Sequence, residues 1–436
     1  MEITPELLQL CLEKFRAQQA EKQVYQNYYD GKHDILNDYE FSESRSNIKV
    51  VVNWFRMFLR NELAYSLSNP VNYIHKQGIK DIAERIDLDF STWEKVHNYK
   101  LMLNAGIFGH AYELRYLKDV EFKATVLTPL NCFVLEGNDA DRTVKLAMHF
   151  YKENDLSPDA PEMVDVYLPL KVQHYVIEDE ALVLKGESPH PFPNVPVSVV
   201  GTNLERKSML DDIKPLNDSY NTTISNNVNE LADFRMAILK VIGTKFENDE
   251  DIQTVMKKGA IQLQQGAEID YLIKNLPDAF ANSTLTEIKE NIYRQSGHID
   301  TNEKLQSNTS GAALRGRLIT LENKCSTIQT MLEQNLKERL KDYFYILRVK
   351  ENLDYDYRLL KQKFTMNTPT DLLNLADVAS KLKDVISLET LYSLFPFVEN
   401  PALEYQKFLK ERDDSMGVQE DLDAIPDDEQ EEEVVE

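Results

Sequence analysis

The sequence predicts an α+β fold that is mainly helical, and three features carry that reading. Glycine is scarce, 14 of 436 residues, less than half the usual ~7%. That leaves few places for tight hairpins or phosphate-cradling loops and favours helix. Between about 111 and 184, apolar and polar residues alternate in short runs such as Tyr112-Glu113-Leu114-Arg115-Tyr116 and Val164-Asp165-Val166-Tyr167, the period of antiparallel strands. From Leu314 to Leu347 the apolar residues Leu314, Leu318, Leu321, Cys325, Ile328, Leu332, Leu336, Leu340, Phe344 and Leu347 recur every three or four positions. They predict a single helix of about 35 residues, roughly 50 Å long at 1.5 Å per residue.

The elements follow in order. Thr4-Pro5 reads as an N-cap with proline at the first helical position, and Leu7, Leu8, Cys11 and Phe15 share one face until Asp30-Gly31 marks a turn. A second helix is expected over 51–67. A third is expected from Ser91-Thr92-Trp93-Glu94, which has the spacing of a capping box. Strands follow to about 184, closed by Pro189, Pro191, Pro193 and Pro196. Ser208 opens a short helix and Pro215 a longer one bearing Asn217, Asn221, Asn226, Asn227 and Asn229. Amides are poor helix formers, so something other than propensity must retain them. Short β-like pieces fall within 237–277, at 237–243 and 260–263. Thr284-Leu285-Thr286-Glu287 reads as a capping box that opens a helix ending near Gly297. The polar run 300–310 precedes the long helix, and capped helices begin at Thr368 and Ser387. Residues 416–436 contain ten acids and no base, the composition of a disordered tail.

Composition excludes several function classes. Length suggests about two to four structural units. A hydrophobic content of 42% excludes wholesale disorder. Lys plus Arg is 49 against 73 Asp plus Glu, a net charge of −24, which argues against a protein that coats nucleic acid with its whole surface. Without the tail the charge is still −14, so the folded part is acidic too. Cys11, Cys132 and Cys325 are far apart, with neither zinc-ribbon nor disulfide spacing, as in a reducing compartment. No signal peptide and no run of ~18 apolar residues is found, so the expectation is a soluble intracellular protein, or one built into a particle assembled there.

Motifs of chemistry are mostly missing. Gly311 and Gly316 have P-loop spacing, but Arg317-Leu318 stands where Lys and Ser or Thr are needed. The eight histidines never pair at zinc-ligand spacing, and no Gly-x-Ser-x-Gly elbow occurs. Asp87/Asp89, Asp139/Asp141 and Asp354/Asp356 are pairs able to hold Mg²⁺, though such pairs arise by chance in so acidic a chain. The expectation is a non-enzyme without a cofactor or resident metal. Two other readings stay open: a Mg²⁺-dependent nucleic-acid-processing enzyme, and a helical adaptor or scaffold.

Several stretches together resemble the portal proteins of tailed bacteriophages, of the type found in siphophages. They are Tyr28-Tyr29-Asp30-Gly31-Lys32-His33-Asp34-Ile35-Leu36, Asn47-Ile48-Lys49-Val50-Val51-Val52-Asn53-Trp54, Pro70-Val71-Asn72-Tyr73 and Ala105-Gly106-Ile107-Phe108-Gly109-His110-Ala111-Tyr112-Glu113. A better match runs from Val195-Pro196-Val197-Ser198-Val199-Val200 through Asn203-Leu204-Glu205 and Ser208 to Leu216-Asn217-Asp218-Ser219-Tyr220-Asn221, Ser225, Asn226, Glu230 and Phe234. Asn308-Thr309-Ser310-Gly311-Ala312-Ala313-Leu314, Ile386-Ser387-Leu388-Glu389-Thr390, Pro396-Phe397-Val398-Glu399-Asn400-Pro401 and Glu404 complete it. Order and spacing over about 20–412 carry the likeness.

The resemblance implies a homo-oligomeric ring, usually dodecameric, at one vertex of the virion head, assembled in the host cytoplasm. It implies a mixed α/β wing over 1–210, a stem helix at 211–236, a small β-containing clip at 237–277 and a second stem helix at 278–297. A tunnel loop at 298–310, a long wing helix with its return at 311–367, a helical crown at 368–415 and the acidic tail at 416–436 follow. It implies DNA packaging and ejection through the ring, without sequence specificity and with no membrane. Its partners would be the terminase motor, head-completion or adaptor proteins, and capsid and scaffold proteins. Asn302, Glu303, Lys304, Gln306, Ser307 and Asn308 would face the DNA, with Lys304, Arg315 and Arg317 as weak phosphate contacts. The ordinary role of those three cations is pairing with nearby carboxylates, and the ordinary reading of the loop is a surface connection. The amide-rich face of 215–236 is expected in a wet channel wall or a polar contact between subunits.

Overall fold

The computed structural model describes residues 3–38, 46–138, 140, 142–154, 156–157, 159–234, 238–242, 266, 268–272, 278–300, 311–367, 372–395, 398, 401 and 403–412. The chain divides into two units, Met1–Met366 and Asn367–Glu436.

In the first unit, α1 (Pro5–Asp30) starts where Thr4 accepts a hydrogen bond from the Leu7 amide at 3.3 Å, and stops at Gly31, whose φ of 89° is left-handed. Helix α2 (Ile35–Asp38) is one turn. Helix α3 (Trp54–Ser66) is capped by Asn53, whose carbonyl oxygen accepts the Arg56 amide while its amide nitrogen donates to Tyr28 O and Tyr29 O. Strand β1 (Asn72–His75) leads to α4 (Lys80–Phe90) and α5 (Glu94–Phe108). Here the expected capping box fails: Ser91 closes α4, and Trp93 stands before α5 with no side-chain cap. Glu94 is instead drawn into the core by a stronger partner described below.

The alternating stretch folds as β2 (His110–Lys118), β3 (Glu121–Leu127), β4 (Cys132–Glu136), β5 (Val144–Lys152), β6 (Glu162–Leu168), β7 (Lys171–Glu178) and β8 (Ala181–Pro189), with β9 (Val197–Gly201) after the prolines. Strands β4 to β8 form an antiparallel meander, and β3-β2-β9 a smaller sheet. Scarce glycine does not prevent tight hairpins. The β2–β3 and β7–β8 turns place Asp119-Val120 and Asp179-Glu180 at positive φ, where asparagine and glycine are the usual choices. One face of the meander carries Leu146, Met148, Phe150, Val164, Val166 and Leu168 against Leu8, Cys11, Leu12 and Phe15 of α1. Phe15 stacks on Phe150 with centroids 3.8 Å apart.

Helix α6 (Met209–Phe234) runs unbroken, with Pro215 inside its second turn rather than opening a new helix. Ser208, which bonds Ile107 O at 2.7 Å and receives the Leu210 amide, fixes the start. Strands β10 (Ile238–Ile242) and β11 (Glu268–Leu272) pair antiparallel, and α7 (Asp278–Ser296) returns along α6. Thr284 and Thr286 do not cap α7. They sit inside it and donate back to Phe280 O and Asn282 O, a use of threonine that leaves the helix uninterrupted. The β-like piece 260–263 lies outside the described residues.

Helix α8 (Gly311–Glu351) is 41 residues long. Its apolar stripe supplies Ile328, Leu332 and Leu336 to a cluster with α3 and α5, and Leu340, Tyr343, Phe344, Ile346 and Leu347 to one with α4 and Phe122. The return strand β12 (Leu360–Lys363) pairs with β1. In the second unit, α9 (Leu372–Leu382) is followed by α10 (Leu388–Tyr392), where Ser387 accepts the Thr390 amide, and by helical residues 403–412. The expected Thr368 cap and the acidic tail fall outside the described residues.

Where α8 crosses α5 and β2, the core is ionic. Arg339, fully buried, donates Nε to Glu113 Oε1 at 3.1 Å, Nη2 to Glu113 Oε2 at 2.5 Å and to Asn98 at 2.8 Å, and Nη1 to Glu94 at 2.8 Å. Asn335 and His97 each reach Glu113 Oε2 at 2.9 Å, and Tyr73 bonds Glu94. Arg115 pairs with Asp342 at 2.6 Å and donates to Ser198 at 2.9 Å. Burial alone would raise Glu113, but the Arg339 guanidinium and the His97 bond hold it well below the carboxylate range. Burial wins at Glu94 and Asp342, which are pushed up, and drives His97 down. Removing one partner of a buried pair leaves uncompensated charge and costs about 3–5 kcal/mol. Arg339→Met is therefore expected to lower the unfolding free energy by that amount, and the double variant E113L/R339M to recover part of it. A loss under about 1 kcal/mol for the single variant in denaturant melts contradicts this.

Candidate functional site

The α6–α7 pair, with the β10–β11 strand pair at one end and the α7–α8 connection at the other, carries the amides singled out in the sequence. Its inner surface answers the question of the amides. Asn217, Asn221, Ser225 and Asn229, four residues apart, are buried along one line of α6, and Asp233 continues it. They bind the backbone of the extended segment 46–52 at every second residue. The amides of Ser46, Ile48, Val50 and Val52 donate to Asp233 Oδ1 (2.9 Å), Asn229 Oδ1 (2.6 Å), Ser225 Oγ (2.9 Å) and Asn221 Oδ1 (2.9 Å). In return Asn229 Nδ2 donates to Ile48 O at 3.0 Å and Asn217 Nδ2 to Val52 O at 2.9 Å. The spacing fits because four helical residues rise about 6 Å and two extended residues about 6.6 Å. The amides are thus kept as a substitute for a neighbouring strand. This corrects the expectation that they face a wet wall or another subunit: Asn217, Asn221 and Asn229 are internal, while Asn226 and Asn227 are half-buried.

The same helix holds the end of α1. Tyr28 donates to Asp218 at 2.7 Å, and Lys214 bridges Asp34 at 2.6 Å and Asp218 at 2.8 Å. Asn221 Nδ2 meets His33 Nδ1 at 3.1 Å, and His33 stacks on Tyr28.

At its other end the pair leads into α8 through a built anchor. Gly297 closes α7 with φ 71°. His298 stacks on Phe58, with Nδ1 3.0 Å from Ser296 O and Nε2 3.3 Å from Phe58 O. Burial first, then the Lys324 charge, pushes its pKa down to about 3, against two carbonyls that favour the imidazolium. Lys324 pairs with the buried Glu62 and donates to Ser296 O at 3.0 Å, and Lys289 meets Asp300 at 2.5 Å. Burial outweighs Lys324 at Glu62, whose pKa is raised.

The predicted site residues Asn302, Glu303, Lys304, Gln306, Ser307 and Asn308 lie outside the described residues, between Asp300 and α8. Arg315 and Arg317 fall in the first two turns of α8, with side chains likewise outside the description. Gly311 and Gly316 are helical, so the glycine spacing there forms no loop. Of the acidic pairs, Asp89 accepts from Arg85 and Tyr343, and Asp356 from Arg358, while Asp139 and Asp141 lie outside the described residues. Among the described residues no group of three metal-ligating side chains converges, and no helix is long and apolar enough to cross a membrane. Sequence reading missed the anchor of Glu62, His298 and Lys324. The amides of α6 stand out in the sequence only as poor helix formers; their spacing of four opposite an extended segment emerges from the fold.

The description "Phage portal protein, SPP1 Gp6-like" matches residues 8–417. The chain is 21% identical over 410 residues to the portal protein of Bacillus phage SPP1, covering 88% of this chain and 79% of that one. It is 24% identical over 230 residues to the portal protein of Clostridium phage phiCD119, covering 51% of this chain and 50% of that one.

Two outcomes follow from the geometry. Asn221→Leu strands the half-buried Val52 amide and is expected to cost about 1–3 kcal/mol, with faster deuterium exchange at Val52. Unchanged exchange there contradicts the ladder. In the unfolded chain His298 takes a proton near pH 6.5, whereas in the fold it stays neutral to about 3. The unfolded state therefore binds more protons, and stability falls as pH drops through that window, by up to about tenfold per pH unit in the unfolding constant. His298→Gln is expected to flatten that limb of the melting temperature between about pH 6.5 and 4. Parallel curves for the two proteins contradict it.

Proposed function

We propose, for a chain that belongs to the SPP1 Gp6-like family of phage portal proteins, that its copies close into a ring, a dodecamer by family resemblance, at one vertex of the virion head. DNA passes through the centre during packaging and ejection. The observation that carries this reading is the match over 8–417, which spans both units. In this reading 1–210 is the wing, α6 and α7 the stem, 237–277 the clip, 311–367 the long wing helix and its return, and 368–415 the crown. The terminase motor docks on the clip in the host cytoplasm. Head-completion or adaptor proteins take its place later, and capsid and scaffold proteins surround the wing.

The electrostatics support a conduit. A subunit of net charge −24, repeated around a hole, presents a repulsive field to phosphates, so the duplex stays centred and mobile. Segment 298–310 is the proposed tunnel loop. Its described root is pinned by His298, Lys324 and Asp300. Lys304, Arg315 and Arg317 are the proposed transient phosphate contacts. The role is structural, and the engagement of Asp89 and Asp356 by arginines favours it over Mg²⁺-dependent chemistry.

Deletion of residues 302–308 is expected to leave ring assembly intact and to lower packaged DNA per head sharply, read by nuclease protection. Unchanged packaging removes that loop from the tunnel.

A further inference from the structure

The outer half of the five-stranded sheet carries a constellation that the portal role does not use. Asp165 on β6, His174 on β7 and Ser188 on the edge strand β8 stand side by side on one face. His174 Nδ1 lies 2.7 Å from Asp165 Oδ1, and His174 Nε2 lies 2.8 Å from Ser188 Oγ. A carboxylate only accepts, so in the neutral imidazole the proton sits on Nδ1 and the Nε2 lone pair accepts the Ser188 hydroxyl proton. Tyr151 donates to the same Asp165 oxygen at 3.4 Å. The β7–β8 register shifts between His174 and Tyr175, with Lys185 as the extra residue on β8. The side chain of His174 keeps 35% of its surface exposed, so reagents reach the base.

We propose that Ser188 is an activated nucleophile, with His174 as its general base and Asp165 as the group that fixes the tautomer, acting on small activated acyl donors. Nucleophile, base and orienting carboxylate within hydrogen-bond reach form the arrangement that makes a serine reactive, on whatever fold it occurs. Ser188 Oγ bonds to the acyl carbon as its proton passes to His174 Nε2. The bond to the leaving oxygen breaks, and that oxygen takes the proton from the imidazolium. Water then attacks the acyl-serine with His174 again as base, releasing the carboxylic acid and restoring the hydroxyl. The site lies on an open sheet edge, so it suits small, unhindered esters. The motif search could not find it, because the surroundings are Glu187-Ser188-Pro189 and not a nucleophile elbow.

The test treats the full-length chain with a fluorophosphonate probe and with p-nitrophenyl acetate. The serine oxygen displaces fluoride from phosphorus, leaving a fixed mass increment that peptide mapping locates. The expected result is labelling at Ser188 ahead of the other serines, abolished in S188A. Labelling slows by roughly 10²-fold or more in H174A and in the isosteric D165N, with p-nitrophenol release falling in parallel and melting temperatures retained. Absence of label at Ser188, or labelling in H174A at the rate of the unaltered chain, overturns the proposal. Where a variant melts early, the unaltered chain still decides, through preference for the half-buried Ser188 over the exposed serines.

Discussion

A backbone amide taken out of water must find a partner, and in this chain that requirement sets how the N-terminal region is joined to the rest. Segment 46–52 has no neighbouring strand on the side that faces α6. Side chains of Asn217, Asn221, Ser225, Asn229 and Asp233 supply what a strand would have supplied. The helix therefore tolerates residues of poor propensity, because each is held by tertiary bonds worth about 1 kcal/mol net. Tyr28, Asp34, Lys214 and Asp218 extend the same seam to α1. Two of the stretches that resemble the portal family, 28–36 and 47–54, are the ones this helix grips.

A second polar array does comparable work for α8. The guanidinium of Arg339 ties the long helix to Glu94 on α5 and Glu113 on β2, while Arg115 and Asp342 tie it again one turn on. Apolar packing fixes distance along such an interface, whereas a bidentate ion pair also fixes register. The C-terminal half of α8 is thereby set against the three-stranded antiparallel sheet. Its first turns, which carry Arg315 and Arg317, continue from that fixed part toward the segment proposed for the tunnel.

Much of the architecture was legible because hydrophobic period speaks directly to it. The alternating runs gave strands, the stripe from Leu314 to Leu347 gave the long helix, and Thr4-Pro5 and Gly31 gave the limits of α1. Local signals misled where a tertiary partner outbid them. Ser91 and Glu94 had the spacing of a capping box, but Arg339 claimed the glutamate. Thr284 and Thr286 lie inside a helix that packing against α6 extends back to Asp278. Arg339 itself was silent in the sequence, since one arginine in a chain with 49 basic residues carries no sign of burial. The same is true of His298, which reads as a lone histidine until Phe58, Ser296 and Lys324 surround it. Ser188, His174 and Asp165 come together only through sheet register, which no linear motif encodes.

Ladder, ion network and anchor together make one subunit of a family whose members are portals, with a strongly acidic chain built around firmly fixed helices. Such subunits are proposed to close around a hole that repels phosphate. Electron microscopy of the purified chain, with its mass in solution, tests that most directly. Closed annuli on the order of several hundred kDa, formed from chains of 50.5 kDa, are the expected result. A population of single chains at every concentration and salt would contradict it.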